Sequence, residues 1–225
     1  PIHGRSVRSW RVRFTYRVGD FVYRPVLLAL AAAIAIGLPA SAQTAPNTAG
    51  ANAISTRPAK SNTSYGMLVD FTHGFMSMQA QYTANIVSET LAAALQRSRD
   101  TLRPQGKPIP DEVKKGLIPF YSPEALKNVR YVIGDVSPSG LAGFAIRNGN
   151  AAAVTLIDTV VFKDESYVGS LGLWAHELHH VQQYNEWGLS GFAANYAFGW
   201  AEVEAEASER AKAFVAWYRE RHGQK

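Results

Sequence analysis

Apolar and polar positions along this chain change period several times, and each change marks a predicted element. Between residues 67 and 99 the apolar residues Met67, Phe71, Phe75, Met78, Tyr82, Ile86, Leu91 and Leu95 recur at helical spacing with no proline. One or two helices are expected there, with Gly74 as the point of interruption. Residues 100–110 then contain Pro104, Gly106, Pro108 and Pro110, which break helix. A short helix over 111–117, capped by Asp111, and a second starting at Ser122-Pro123-Glu124 follow. The pattern next turns to β-branched runs. Residues 129–133 read as a strand, 144–147 as another, Asn148-Gly149 as a tight turn, and 152–162 as the best strand in the chain. After the polar turn Lys163-Asp164-Glu165-Ser166, helical spacing returns over 168–187 and stops at Gly188. A last long helix is expected from Phe192 towards Arg219. The fold class is therefore α+β: a mostly helical domain with a small sheet packed on the helix over 168–187, and an N-terminal helical region covering them.

Three stretches before residue 65 do not read as core. Arg24 precedes thirteen apolar or small residues, 26–38, and then Pro39-Ala40-Ser41-Ala42-Gln43. A basic flank, a short apolar run and a small-x-small end describe a secretory signal peptide cleaved after Ala42. The run is short for a membrane span of ~20 residues, so an uncleaved anchor is the lesser alternative. Secreted or periplasmic localisation follows. Residues 1–21 are arginine-rich without an apolar stripe, which fits translation starting at Val22 and an upstream segment before it. Residues 43–64 are rich in Ala, Asn, Thr, Ser and Pro and read as a flexible linker, leaving 65–225 as the folded domain.

Charge and composition narrow the function. The formal net charge of +5 comes from the leader: six arginines stand there against Asp20. What remains is seventeen of the 23 basic residues against seventeen of the 18 acidic ones. A nucleic-acid partner loses its support with that balance. Cysteine is absent, which excludes disulfides, a thiol nucleophile and thiolate ligands.

The candidate chemistry sits in the helix over 168–187. His176, Glu177 and His180 spell H-E-x-x-H. Residues four apart share a helix face, so both imidazoles can converge on one ion, and Glu177 can reach a water on it as general base. Two histidines with a carboxylate suggest Zn2+. Leu171, Leu173, Trp174, Leu178, Val181 and Tyr184 make the rest of this helix apolar, so the polar trio needs a partner inside. The third ligand is sought in Ala201-Glu202-Val203-Glu204-Ala205-Glu206-Ala207. Glu202 and Glu206 share one face. The favoured arrangement makes Glu202 the ligand and Glu206 a carboxylate hydrogen-bonded to a ligand histidine, with Glu204 as the fallback if the helix is rotated. A solvated acidic face paired with Arg210 and Lys212 is the alternative. Tyr184 and Tyr196 are candidate oxyanion donors. His73, His179 and His222 are weaker ligand candidates, and His179 points about 100° from His180. Residues 152–157 are the expected edge strand above the metal, where an extended peptide would pair; a purely structural core strand is the alternative.

These motifs resemble a known family. Residues from about Pro108 to Ala207 resemble the eCIS core domain family, encoded near extracellular contractile injection systems. The likeness lies in VRYVIGD, AAAVTLIDTVVF, HELHHVQQYNEWGLSGFAANYA and EVEAEA. Family members show H-E-L-x-H-V-x-Q-Y, a Trp- or Leu-Gly turn, Gly-Phe-Ala and Glu-x-Glu-Ala, which fall on His176 to Tyr184, Trp187-Gly188, Gly191-Phe192-Ala193 and Glu202 to Ala205. The resemblance implies a zinc metallopeptidase of gluzincin type, in which the first acid of E-x-x-x-D is the ligand. That maps to Glu202, with Glu206 in place of the aspartate. The leader marks an exported, stand-alone relative acting on a peptide or protein substrate. A non-catalytic protein stapled by the metal, and a zinc hydrolase of cell-wall material, are the competing functions.

Overall fold

The computed structural model describes residues 64–134 and 151–223, with side chains from Met76 onward. The expected strand over 144–147 and the Asn148-Gly149 turn lie outside the described residues, as do the leader and most of the linker. The elements run in order α1 (Ser64–Leu102), a 3-10 turn (Arg103–Gln105), β1 (Lys107–Pro108), α2 (Asp111–Leu117), α3 (Pro123–Lys127) and β2 (Arg130–Ile133). The hairpin strands β3 (Ala153–Leu156) and β4 (Thr159–Phe162), a 3-10 turn (Glu165–Tyr167) and the long α4 (Leu171–His222) complete the chain. This is the expected α+β fold.

The sheet order is β1-β2-β4-β3, with β2 and β4 parallel and the two outer pairs antiparallel. Side chains alternate across a strand, so each face takes every second residue. Tyr131, Ala153, Val160 and Phe162 face a core built with Val113, Leu117, Leu126, Trp174, Leu178 and Phe214. Val132, Leu156 and Val161 face the other way, onto Leu91, Leu95 and Leu102 of α1. Tyr184, Phe192 and Val203 join that second cluster. The sheet is therefore a middle layer: α1 covers one side, and the start of α4 with α2 and α3 covers the other. Trp174 is fully buried and donates its indole N–H to the Val168 carbonyl (2.8 Å). Tyr121 donates to the Ala175 carbonyl (2.9 Å), which ties the connection between α2 and α3 to the residue before His176. At Gly116 an added Cβ would sit 2.7 Å from the Leu171 side chain, so α2 and α4 approach this closely only because that position lacks one.

Several boundaries differ from the expectation. α1 is one helix that passes through Gly74 and absorbs residues 100–102. Among its described side chains, those from Val87 on reach the core, and Met78 and Tyr82 are exposed. Lys107–Pro108, read as a helix-breaking loop, pairs with β2. Asp111 is the first residue of α2 and Pro110 its cap position. Ser122 caps α3 as expected, accepting from Ala125 N–H (3.2 Å).

The largest difference lies in residues 152–162, which form not one strand but a hairpin turning at Ile157-Asp158. Ile157 takes φ 59°, a left-handed conformation that a β-branched residue adopts only under constraint. Asp158 supplies the constraint. Its carboxylate accepts from Arg99 Nε (2.9 Å) and Nη2 (2.7 Å) and lies 3.2 Å from Arg103. The end of α1 thus clamps the turn.

α4 begins at Leu171 with Ser170 as cap, three residues later than expected. It changes direction twice, at Gly188 (φ 69°) and Gly199 (φ −143°, ψ 39°). The break at Gly188 is where the sequence pattern puts it, and its positive φ is one glycine tolerates without strain. The break at Gly199 falls inside the long helix expected from Phe192. The chain therefore runs helically through 171–187, turns, and returns through 200–222 along its own first segment. No helix among the described residues is long and apolar enough to cross a membrane.

Candidate metal centre

The first segment of α4 presents His176, Glu177 and His180, all buried. The apolar stripe Leu171, Trp174, Leu178 and Val181 fixes its rotation against the sheet and α2. The last segment is set by the same logic: Val203, Ala207, Ala211, Phe214 and Val215 are its buried positions. Glu204 follows Val203 on that inward face, 7 % exposed.

Three donor groups meet there. His176 Nε2 lies 3.2 Å from His180 Nε2 and 3.2 Å from Glu204 Oε2, and His180 Nε2 lies 3.5 Å from Glu204 Oε1. The donor atoms of His176, His180 and Glu204 all fall within 4.8 Å of one another. A tetrahedral ion with bonds of about 2.0–2.1 Å has ligand atoms about 3.3 Å apart. The triangle has that size. Two imidazole nitrogens turned onto each other beside a carboxylate also need a positive charge between them, a proton or a metal ion. A borderline cation such as zinc suits two nitrogens and one oxygen.

Glu177 sits beside the triangle. Thr155 Oγ1 donates to its Oε2 (2.8 Å) and lies 3.2 Å from its main-chain carbonyl, so β3 holds the carboxylate from the sheet side. Its other oxygen, Oε1, is buried and has no hydrogen-bond partner among the described residues. Burial pushes the Glu177 carboxyl above the usual carboxylate range, against the pull of His176, His180 and the Thr155 hydroxyl. Glu204 goes the other way. Burial alone would raise it, but the charge of His180 and hydrogen bonds from both histidines hold it well below the ordinary value. His180 shows the reciprocal effect: burial opposes its charge, and Glu204 overrides burial and raises its pKa.

Around this trio lies a second ring of contacts. Tyr196 donates its hydroxyl to Glu204 Oε1 (2.7 Å). Gln183 Oε1 stands 2.8 Å from His180 Nδ1, while its Nε2 donates to Glu206 Oε2 (2.9 Å) and to the Val203 carbonyl (3.3 Å). Tyr184 stacks on Phe192 (3.7 Å between centroids), and Phe192 stands edge-on to the His180 ring. Burial raises the pKa of both tyrosines, so both stay protonated.

The sequence-derived site is brought together in part. His176, Glu177 and His180 converge as expected. Glu202 does not: it is exposed and outside the cluster, and Glu204, the fallback, takes the third position. Residues 202 and 204 lie about 200° apart around a helix, so only one of them can face inward. Val203, Ala207, Ala211 and Phe214 decide which, because turning Glu202 in would turn that stripe out. Glu206 lies near the histidines but reaches His180 only through Gln183, and stands 3.9 Å from His179 Nε2. Tyr196 is engaged with Glu204, and the Tyr184 hydroxyl is buried next to the Ile157 backbone, so neither is turned out as an oxyanion donor. His179 contacts Gln182 (3.3 Å), and His222 stacks on Tyr218 near the end of α4. Arg210 lies over the Phe120 ring (4.3 Å), and Lys212 pairs with Glu209. Thr155 and Gln183 are additions that the sequence reading did not contain. A threonine inside a strand and a glutamine inside a helix carry no signal until the fold brings them to the site.

Residues 108–188 match the family model of the eCIS core domain. Over that stretch the chain is similar to eCIS core domains. The match contains the hairpin with Thr155, the H-E-x-x-H segment and Gln183, and it ends at the Gly188 turn. Glu204 and the returning helix lie beyond the eCIS core as matched. No curated protein and no solved structure matches the chain.

Proposed function

We propose that this protein is a zinc-dependent peptide hydrolase of gluzincin type, with Glu177 as general base. The observation that carries the reading is the triangle of His176, His180 and Glu204 beside a buried carboxylate with one unpartnered oxygen. Zinc held by these three side chains would lower the pKa of a water molecule towards ~7 and polarise a substrate carbonyl. The remaining work belongs to the chain. Thr155 holds Glu177 Oε2, so Oε1 is the oxygen left to take a proton from water and return it to the leaving amine. A carboxyl raised by burial suits both directions of that transfer. Tyr196 fixes the Glu204 carboxylate in place. β3, an edge strand, carries Thr155 and pairs only with β4 among the described residues, so an extended peptide can add to its other edge.

A second reading is favoured by the burial of all four polar side chains: a closed metal staple joining the two halves of α4, without turnover. Glu177→Gln separates the two. On zinc-loaded full-length protein, casein-derived peptides should be cleaved by the native enzyme and ~10²–10⁴-fold more slowly by the variant, with zinc content unchanged. Equal cleavage by both, or none by the zinc-loaded native protein, would overturn the peptidase reading. Export belongs to the same proposal. The expected mature N-terminus is Gln43, and an exported protein that retains residues 22–42 would contradict it.

A further inference from the structure

We infer that Gln183 is a positioning residue that locks the tautomer of His180, and that it does so by reading the location of the returning helix. The inference rests on the metal-centre reading and adds a residue to it. A glutamine amide has one end that donates and one that only accepts. The Val203 carbonyl can only accept a hydrogen bond, and the exposed Glu206 carboxylate accepts as well. Both lie at one end of the Gln183 amide, at 3.3 and 2.9 Å, so the NH2 group must occupy that end. The reverse orientation would press the amide oxygen against two acceptor oxygens.

With the amide fixed, its oxygen faces His180 Nδ1 at 2.8 Å. An acceptor oxygen at that distance demands a hydrogen on Nδ1. In the neutral ring the lone pair then resides on Nε2, the atom that faces His176 and Glu204. Gln183 thereby presents a ligand-ready nitrogen to the centre. Because Val203 immediately precedes Glu204, the lock is set only when the segment supplying the third ligand has docked. A carboxylate on the histidine would do the first job alone; the amide does both.

The test uses full-length protein labelled with 15N at histidine, examined metal-free under alkaline conditions where imidazoles are neutral, and again loaded with zinc alone. Native protein should show His180 protonated at Nδ1 in both states. Gln183→Met keeps the side-chain volume and removes both hydrogen-bonding ends. It should shift His180 towards the Nε2–H form and weaken zinc binding by about 10–100-fold. Glu206→Gln should bind zinc within about 3-fold of native, since Val203 still orients the amide. The inference is overturned if native His180 carries its hydrogen on Nε2, or if Gln183→Met keeps the native tautomer. Should native protein bind no zinc, the metal-centre reading fails and the metal-free spectrum decides the tautomer lock by itself.

Discussion

Exchanging Glu204 for Gln, with Glu202→Gln as its control, tests the third ligand most directly. Both substitutions remove one negative charge from the same turn of the same helix, so general electrostatics cannot distinguish them. Their positions can: Glu204 is buried against His176 and His180, while Glu202 is exposed. Loss of the only anionic member of the triangle should weaken zinc by about 100-fold or more, or about 2.7 kcal/mol. Linkage converts that into thermal stability. A native protein held at 1,000 times its zinc dissociation constant gains about 4.1 kcal/mol, and a variant binding 100-fold more weakly gains about 1.4 kcal/mol at the same free zinc. For a domain of this length the difference corresponds to a zinc-induced shift in Tm smaller by roughly 5–10 °C. Without zinc the two variants should be closer, because His180 can give up its proton when Glu204 is removed rather than remain a buried unpaired charge. Competition against a chromophoric chelator gives the affinity, and calorimetric scans with and without zinc give the stability. If Glu202→Gln weakens zinc while Glu204→Gln binds as the native protein does, the returning helix does not have the rotation described above.

Other contacts carry their own expectations. Thr155→Val should leave zinc affinity unchanged while slowing peptide hydrolysis by about 10-fold, because Glu177 loses the hydroxyl that orients it; an unchanged rate in a kinetic assay would remove Thr155 from the mechanism. Asp158→Asn should cost about 1 kcal/mol near neutral pH, modest because the Arg99 pair is partly solvated. Burial raises the Asp158 pKa, but Arg99, Arg103 and Thr159 together bring it below the ordinary value. A depressed carboxylate stabilises the fold above its unfolded pKa and loses that contribution as pH falls through the folded value. The native-minus-variant difference in urea midpoint should therefore shrink only below about pH 4. Trp174→Ala should cost about 3–5 kcal/mol in the same assay, since the indole is fully buried and its N–H is bonded. Gly188→Ala should cost about 1–3 kcal/mol, because the turn between the ligand-bearing segments needs φ 69° with ψ 171°, a conformation essentially reserved to glycine.

Much of this protein is legible in the order of its residues. The H-E-x-x-H spacing places His176 and His180 on one helix face by geometry alone, and the apolar remainder of that segment implies its burial. Gly188 ends the segment because few other residues tolerate its backbone conformation, and Ser122-Pro123 starts a helix for equally local reasons. Those features depend on neighbours within one or two turns, and such interactions are written in the sequence.

What depends on distant residues is not. The run 152–162 has the composition of one continuous strand, and it folds back at Ile157-Asp158 because Arg99 and Arg103, more than fifty positions earlier, grip the turn. Three glutamates alternate at 202, 204 and 206, and nothing local ranks them. The face chosen by Val203, Ala207, Ala211 and Phe214, packed against elements from elsewhere in the chain, turns Glu204 in and Glu202 out. Thr155 and Gln183 gain their roles the same way, from partners that only the completed packing supplies.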